Sequence, residues 1–258
     1  HAHRAVWARQ MMWTGWYDLR PTDRLMHAGA FNWTYTLGTG LMDPWAAGAT
    51  ALIPANGTKP TDLPALITAH KATLIAAAPG VYRQMLRSDI PSMPSLRHGF
   101  SAGEKLPESL RDAWTTVTGT KLYEAYGMSE CSTFLSSSPS RPAPTGTLGF
   151  PQNGRRIALI DENGPVPIGS AGTIGVHKSD LGLMIGYLDQ PEETAARFVG
   201  DWFLTGDVGR MSEDGAITYE GRADDMMNAG GYRVSPVEVE EALATHPDIH
   251  EVAASEVT

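Results

Sequence analysis

The sequence has very little cysteine, a shortage of positive charge and no long apolar run, and each shortage closes off a class of function. Cys131 is the one cysteine in 258 residues, so an intramolecular disulfide framework is excluded and a reducing compartment, the cytoplasm, is expected. Against 29 aspartates and glutamates stand 20 lysines and arginines, a net charge of -9. That balance opposes a broad nucleic-acid surface and leaves room only for a local basic pocket. No apolar stretch reaches the roughly 20 residues of a membrane-spanning helix, and no secretory signal pattern is present. A Gly-x-Ser-x-Gly elbow and a spaced cluster of zinc ligands are missing too, which argues against a generic hydrolase. No repeat or long low-complexity tract interrupts the chain.

What is present is an alternation of strands and helices. Hydrophobic residues make up 42% and charged residues 19%, the balance of a globular protein long enough to bury a core. His1 to Met12 reads as a helix; His1 and His3, two apart, fall on different faces and do not make a metal pair. Leu25-Met-His27 reads as a buried strand and Ala51-Leu-Ile-Pro54 as another. Thr61 is placed to cap a helix carrying Leu63, Leu66, Ile67 and His70 on one face. Leu74-Ile-Ala-Ala-Ala78 is a continuous apolar run that passes at Pro79-Gly80 into a helix through Tyr82, Met85 and Leu86. After the strand that ends in His98-Gly-Phe-Ser-Ala-Gly103, the helix beginning near Pro107 is expected to turn Leu110, Trp114 and Val117 inward and to stop at Gly119. Lys121 to Tyr126 forms the next strand.

This alternation predicts an α/β fold over residues 1–145, a mainly parallel sheet with helices on both faces. Ser136 to Pro144, rich in serine and proline, reads as an exposed loop. Short strands and glycine turns follow over residues 146–223 and predict a small antiparallel, barrel-like subdomain. Residues 224–258 read as a hinge and the start of a C-terminal α+β domain. There Ser235, Pro236 and Glu238 make a capping box worth about 1 kcal/mol. Val239, Ala242 and Leu243 form the buried face of the helix it opens, while Glu240 and Glu241 are solvated.

Ligands of a parallel sheet gather where its strands end, so chemistry is expected just after the apolar runs. The segment ending in Ser101-Ala-Gly103, whose small residues let another molecule approach the backbone closely, and the tip Gly127-Met-Ser-Glu130 sit at such points. By residue type alone His27 reads as a satisfied core histidine, Tyr126 as a core aromatic and Glu130 as a solvated charge. Gly38-Thr-Gly40 lacks a lysine and lies in an apolar stretch, which reads as helix packing rather than phosphate binding. Farther on, Trp202-Phe-Leu-Thr-Gly-Asp207 is expected to stop a strand with a carboxylate at its tip. Glu213-Asp-Gly215 turns the chain, and the return strand through Ile217 and Tyr219 brings Arg222 back to Asp207. That pair could hold a ribose or a phosphate, or be a surface salt bridge worth at most about 1 kcal/mol.

Four stretches in one order carry a resemblance. Tyr123-Glu-Ala-Tyr-Gly-Met-Ser-Glu130, Thr205-Gly-Asp207, Gly221-Arg-Ala-Asp224, and Gly230-Gly231 ahead of Pro236-Val-Glu-Val-Glu240 together resemble the adenylate-forming superfamily. Its members include acyl-CoA synthetases, aryl-CoA ligases of the benzoate-CoA ligase kind, luciferases and the adenylation domains of peptide synthetases. Gly186-Tyr and Thr194-Ala-Ala-Arg-Phe198 are similar to two further signatures of the family.

The resemblance implies an acid:CoA ligase using ATP, Mg2+ and CoA on a small carboxylic acid, aromatic or short acyl, with no nucleic-acid or membrane partner. In that reading Gly103, Glu104 and Lys105 lie on one face of adenine and Tyr126 on the other, with Glu124, Ala125, Gly127 and Met128 completing the nucleotide segment. Ser129 donates to the phosphate, Glu130 holds magnesium, and Asp207 and Arg222 hold the ribose. Asp224 is the hinge of a domain rotation, so Ser129, Glu130 and Asp224 carry the catalytic roles. Gly230 and Gly231 line the tunnel for the pantetheine arm. His27, Phe31, Ala78, Ser101 and Ala102 line a compact acid pocket.

The chain resembles the middle and late part of a family member, without the phosphate loop and its lysine and without the C-terminal segment that carries a second lysine. By itself it is therefore expected to bind adenylates weakly and turn over little or not at all. The alternatives are an adenylation domain that loads a carrier protein and a non-catalytic nucleotide-binding module. Retention of Glu130, Asp207 and Arg222 speaks against the second.

Overall fold

The computed structural model describes residues 1–229, 232–243, 246, 248–249 and 252–255. The chain divides into two compact units: His1–Arg155 with Leu181–Ile185, and Arg156–Asp180 with Gly186–Thr258.

The strands of the first unit are β1 (Arg24–His27), β2 (Thr50–Leu52), β3 (Leu74–Ala77), β4 (His98–Ala102), β5 (Lys121–Met128), β6 (Ser132–Ser136) and β7 (Thr147–Pro151), in the order β2-β1-β3-β4-β5-β6-β7. The pairings from β2 through β5 are parallel, and β6 and β7 add on antiparallel. Its helices are α1 (Arg4–Ala8), α2 (Thr34–Leu37), α3 (Asp43–Ala46), α4 (Leu63–Ala69), α5 (Pro79–Met85) and α6 (Glu108–Thr118). The period of two along a strand sends neighbours to opposite faces, and the two cores follow it. Ile75, Ala77 and Leu122 pack against Leu63 and Ile67 of α4, Tyr82 and Met85 of α5, and Leu110 and Trp114 of α6. Leu74, Ala76, Phe100, Ala102, Tyr123 and Ala125 pack on the other side against Met12, Trp16, Tyr17 and Tyr35. Both faces are covered, which is why β3 is apolar and buried at every position.

Several local expectations need correction. The N-terminal helix breaks after Ala8 and resumes near Met11, running into a π-helical turn at Trp13–Tyr17; the break turns Arg9 inward to Asp43. Thr61 does not cap α4. It lies in a 3-10 turn, Pro60–Asp62, where the Asp62 carboxylate accepts from the Lys59 amide, and Pro64 at the start of α4 gives up a donor that needs no cap. β2 stops at Leu52 because Pro54 has no amide and restricts Ile53 before it. Val117 is 55% exposed: the core on that face ends at Trp114, whose indole N–H donates to Thr120 Oγ1, leaving the last turn of α6 outside. β5 runs on through Met128 and folds back as β6, a strand without a clear signal in the sequence pattern. Ser136, Ser137 and Ser138 are buried rather than exposed, since Ser136 Oγ donates to the Gly15 carbonyl and Ser137 Oγ accepts from the Ala143 amide.

The second unit is antiparallel, as expected. Its strands are β8 (Ile157–Asp161), β9 (Gly164–Pro165), β10 (Ala171–His177), β11 (Phe198–Val199), β12 (Trp202–Met211) and β13 (Ile217–Arg222), in the order β13-β12-β10-β8-β9 with β11 beside β12. A separate ribbon pairs β14 (Met227–Ala229) with β15 (Tyr232–Val234), and the helices are α7 (Pro191–Ala196) and α8 (Pro236–Leu243). Ile160, Ile174, Val176, Phe203 and Ile217 are buried here. β12 does not stop at Asp207. It bends at Gly206, φ +86°, and slips register after Val208, then continues to Met211; the glycine and the bulge absorb the bend that the sequence suggested as an end. On α8 the Glu238 amide reaches Ser235 Oγ at 3.4 Å, the first half of the expected capping box. Ala242 and Leu243 are exposed, contrary to expectation, because this helix packs through its first turn, where Ser235 Oγ donates to the Glu220 carbonyl. Glu240 is not simply solvated: it accepts from the Ala254 amide at 2.9 Å. The Glu241 side chain lies outside the described residues. Among the described residues no helix is long and apolar enough to cross a membrane.

Candidate functional site

Parallel pairing sets the ends of β1, β3, β4 and β5 along one edge of the first unit. His27 pairs with Ala76, Ala77 with Ser101, and Ala102 with Ala125, so Ala78, Gly103 and Tyr126 follow at that edge. His27 is 2% exposed. Its Nδ1 accepts from the Gly29 amide at 2.9 Å, which places the proton on Nε2, a buried atom with no hydrogen-bond partner. Burial holds its pKa down to about 3, so it is a neutral donor at physiological pH. The Tyr35 ring stands edge-on to it at 4.5 Å. Ala102 shares this face of the sheet. Ser101 alternates to the other, where its buried hydroxyl also lacks a partner. Phe31 and Ala78 are half-buried.

The loop after β4 is shaped by a ring and a carboxylate. Gly103 has φ +94°, a conformation that favours glycine, and a Cβ there would lie 2.5 Å from Cη2 of Trp33 and displace the indole. Glu104 and Lys105 are exposed. The Leu106 amide donates to Glu124 Oε1 at 2.8 Å, and Arg111 Nη2 donates to Oε2 at 3.1 Å. Glu124 is thus spent on holding the loop. Its burial raises the pKa to about 7, against the lowering effect of the Leu106 amide and Arg111.

Tyr126 is half-buried, and its ring meets the Phe134 edge at 5.3 Å and 85°. Ala125 is buried and Met128 half-buried. At Gly127 a Cβ would overlap the Ser132 carbonyl oxygen, so the glycine is what lets β6 return so closely. Ser129 is exposed, with its carbonyl 2.8 Å from His1 Nε2. Glu130 is half-buried, and its carbonyl accepts from the Met184 amide at 2.7 Å.

In the second unit the cross-strand register pairs Asp207 with Arg222. Arg222 Nη1 lies 3.6 Å from Asp207 Oδ1, and the Tyr219 hydroxyl donates to the same oxygen at 3.5 Å. Thr205 is buried; its Oγ1 donates to the Ile174 carbonyl and accepts from the Asp207 amide at 3.1 Å, which sets the backbone under the carboxylate. Burial and Asp207 together push the Tyr219 phenol up to about 12, so it remains a donor. The Asp207 side chain is 13% exposed and that of Arg222 40%, more sheltered than an ordinary surface pair. Arg222 Nε also meets Asp224 Oδ1 at 3.1 Å, and the Asp224 side chain is 71% exposed. A cleft of about 450 Å³ opens beside this group, between Tyr219, Arg222, Asp224, Val237 and Glu240. Gly230 and Gly231 lie outside the described residues.

Among the described residues no cluster of three or more histidine, cysteine, aspartate or glutamate side chains could cage a metal. Mg2+ takes one or two protein carboxylates and fills its octahedron with phosphate oxygens and water, so a single half-buried carboxylate such as Glu130 is compatible with it. Sequence reasoning missed Trp33 over Gly103 and the buried Arg9 and Arg155. A charge inside an apolar stretch, Arg9 between Trp7 and Met12, was the available signal for the first arginine.

A family model described as AMP-binding enzyme matches residues 1–188. The mitochondrial acyl-coenzyme A synthetase ACSM3 of Homo sapiens is 33% identical over 247 residues, covering 92% of this chain and 42% of that protein. Among solved structures, the anthranilate CoA ligase AuaEII in complex with anthranoyl-AMP superposes with a TM-score of 0.86 at 30% identity, over 99% of this chain and 50% of that one. ATP-bound MatB from Rhodopseudomonas palustris gives a TM-score of 0.89 at 26% identity, over 98% of this chain and 51% of that one. The chain therefore spans about half the length, or somewhat less, of the proteins it matches.

Proposed function

The chain belongs to the AMP-binding enzyme family, and from that premise we propose that it works within an acid:CoA ligase acting on an aromatic or short acyl acid. A carboxylate does not react with a thiol because its oxygen is a poor leaving group. Attack of a carboxylate oxygen on the α-phosphorus of ATP releases pyrophosphate and gives an acyl-adenylate; a thiolate sulfur then attacks the acyl carbon and AMP leaves. Such a route needs base and ribose held, the phosphate charge balanced and the acid oriented. Tyr126 and the Gly103–Lys105 loop would hold adenine, Asp207 and Arg222 the ribose, and Ser129 a phosphate oxygen. Glu130 would hold magnesium, which when bound balances phosphate charge. Asp224 would serve as the hinge, in a proposed division into residues 1–145, 146–223 and 224–258.

The observation that carries this reading is the Asp207 carboxylate, sheltered between Arg222 and Tyr219 on paired strands beside the cleft. For the acid, support comes from His27 and Ala102 on one face of the sheet and from the likeness to a ligase solved with anthranoyl-AMP. His27 Nε2–H would orient a polar group of the acid. CoA is the acceptor we favour because the relatives bear that name. The lone buried cysteine suits a reducing compartment, in our reading the cytoplasm.

The test is calorimetric binding of non-hydrolysable aryl- and alkyl-adenylate analogues, with AMP as control, to the unaltered protein and to Asp207→Ala. Aryl analogues are expected to bind at least tenfold more tightly than AMP. Losing two ribose hydrogen bonds at roughly 1.5 to 3 kcal/mol each should weaken every nucleotide by about two to four decades. A loss under tenfold would return Asp207 to an ordinary ion pair, and equal binding of all analogues would remove the aromatic acid.

A further inference from the structure

The corner from Ser129 to Ser132 joins β5 to β6, and two buried arginines hold it from inside the first unit. Arg9 Nε and Nη2 donate to Asp43 Oδ1 and Oδ2 at 2.8 and 2.6 Å, while Nη1 donates to Ser132 Oγ at 2.6 Å. Arg155 Nη2 donates to the Thr133 carbonyl at 3.1 Å, and Nη1 meets Cys131 Sγ at 3.7 Å. The Arg9 side chain is 11% exposed and Arg155 is 7% exposed. Ser132, between these contacts, has φ +62°, a left-handed conformation that costs a non-glycine residue about 1 to 2 kcal/mol and persists only where the surroundings impose it. Burying a guanidinium is costly unless its donors are matched. The Asp43 pair uses two of Arg9's arms; the third, on Ser132, acts on the corner that carries Glu130.

We infer that Arg9 and Arg155 are positioning residues: by fixing the backbone of the Ser129–Ser132 corner they set the direction of the Glu130 carboxylate, and with it the gain that magnesium gives to nucleotide binding. The inference rests on the reading of Glu130 as the magnesium carboxylate. Glu130 lies two residues from Ser132 and three from Thr133, both tethered, so a small rotation of the corner would swing its side chain.

Arg9→Ala would leave the Asp43 carboxylate buried without its counter-charge, although the Tyr17 hydroxyl still donates to it, a change that threatens folding itself. The informative variants are therefore Ser132→Ala, which removes only the hydroxyl at the far end of the link, and Arg155→Lys. ATP affinity is measured in EDTA and in Mg2+ with the full-length protein, and amide hydrogen exchange is followed over residues 128–134 without nucleotide. In each variant the Mg2+-dependent gain in ATP affinity is expected to shrink about tenfold, equivalent to about 1.4 kcal/mol. Affinity in EDTA should stay within twofold, and exchange at the corner should quicken at least tenfold. An unchanged Mg2+ gain, or equal losses with and without Mg2+, would overturn the positioning role and leave the function standing. An unaltered protein that binds ATP with no gain from Mg2+ would overturn both.

Discussion

Glu124 and His27 show how burial, rather than residue type, decides what a titratable group does. His27 ends β1 and Glu124 lies within β5; the sequence offered each a binding role, and each is almost sealed from water. Burial moves them in opposite directions, Glu124 up to about 7 and His27 down to about 3. A raised carboxylate pKa means that the folded state holds the proton more tightly than the unfolded one. The contribution of Glu124 is therefore full below about 4.5, falls as pH rises to about 7, and is level above. For His27 the contribution is full above about 6.5 and is lost as pH falls towards about 3. The two oppose each other where those windows overlap. Glu124→Gln keeps an acceptor for the Leu106 amide and removes the titration. Relative to the unaltered protein, the variant should gain stability from about pH 5 to about pH 7, with a slope no steeper than about 1.4 kcal/mol per pH unit. Urea unfolding at several pH values checks it, and parallel curves would show that Glu124 does not titrate in this range. The sequence marked both residues as interesting; it could not show that Glu124 is engaged by Leu106 and Arg111, because those contacts depend on where a loop and a helix come to rest.

At the scale of the element, the apolar runs were the most legible part. β3, β4 and the helices after them lie where hydrophobic pattern and the Pro-Gly and Pro107 signals put them. The Asp207–Arg222 pairing was legible too, since hairpin register follows from turn position and alternation. What escaped was β6, and Gly127 explains why. The stretch after Glu130 has no strong strand pattern, and β6 forms because a residue without a side chain lets it lie against β5. Gly127→Ala would drive a methyl carbon into the Ser132 carbonyl oxygen. Backbone cannot yield as a flexible side chain can, so the β5–β6 pair should separate. A loss of about 2 to 4 kcal/mol is expected, read by thermal unfolding, with faster amide exchange in β6. A change under about 0.5 kcal/mol, the range of an ordinary surface substitution, would mean that the strands part without cost. The buried serines at the end of β6 and just beyond it mislead for a related reason: composition reports that Ser136 to Ser138 are polar, while the hydroxyls of Ser136 and Ser137 find their partners only after folding.

For the whole molecule, each unit contains its own buried side chains, the first taking in His1–Arg155 with Leu181–Ile185. Trp114 is fully buried in the core on the α4–α6 side of the first unit. Trp114→Ala should cost that unit about 3 to 5 kcal/mol. Hydrogen exchange should rise in β3 and β4 while β10 and β12 keep their protection, since local openings follow cooperative units. Equal loss in all four strands would show that the units unfold as one.

Asp207 lies inside a ten-residue strand rather than at its tip, and the difference concerns timing. A carboxylate on a loop end must be ordered when its ligand arrives, whereas this one is aimed when the ladder forms. The conformational entropy of aiming it is settled during folding. Capture of a ribose there becomes a matter of collision and desolvation, and the dwell time of the nucleotide, rather than its rate of arrival, is what changes at this position would alter.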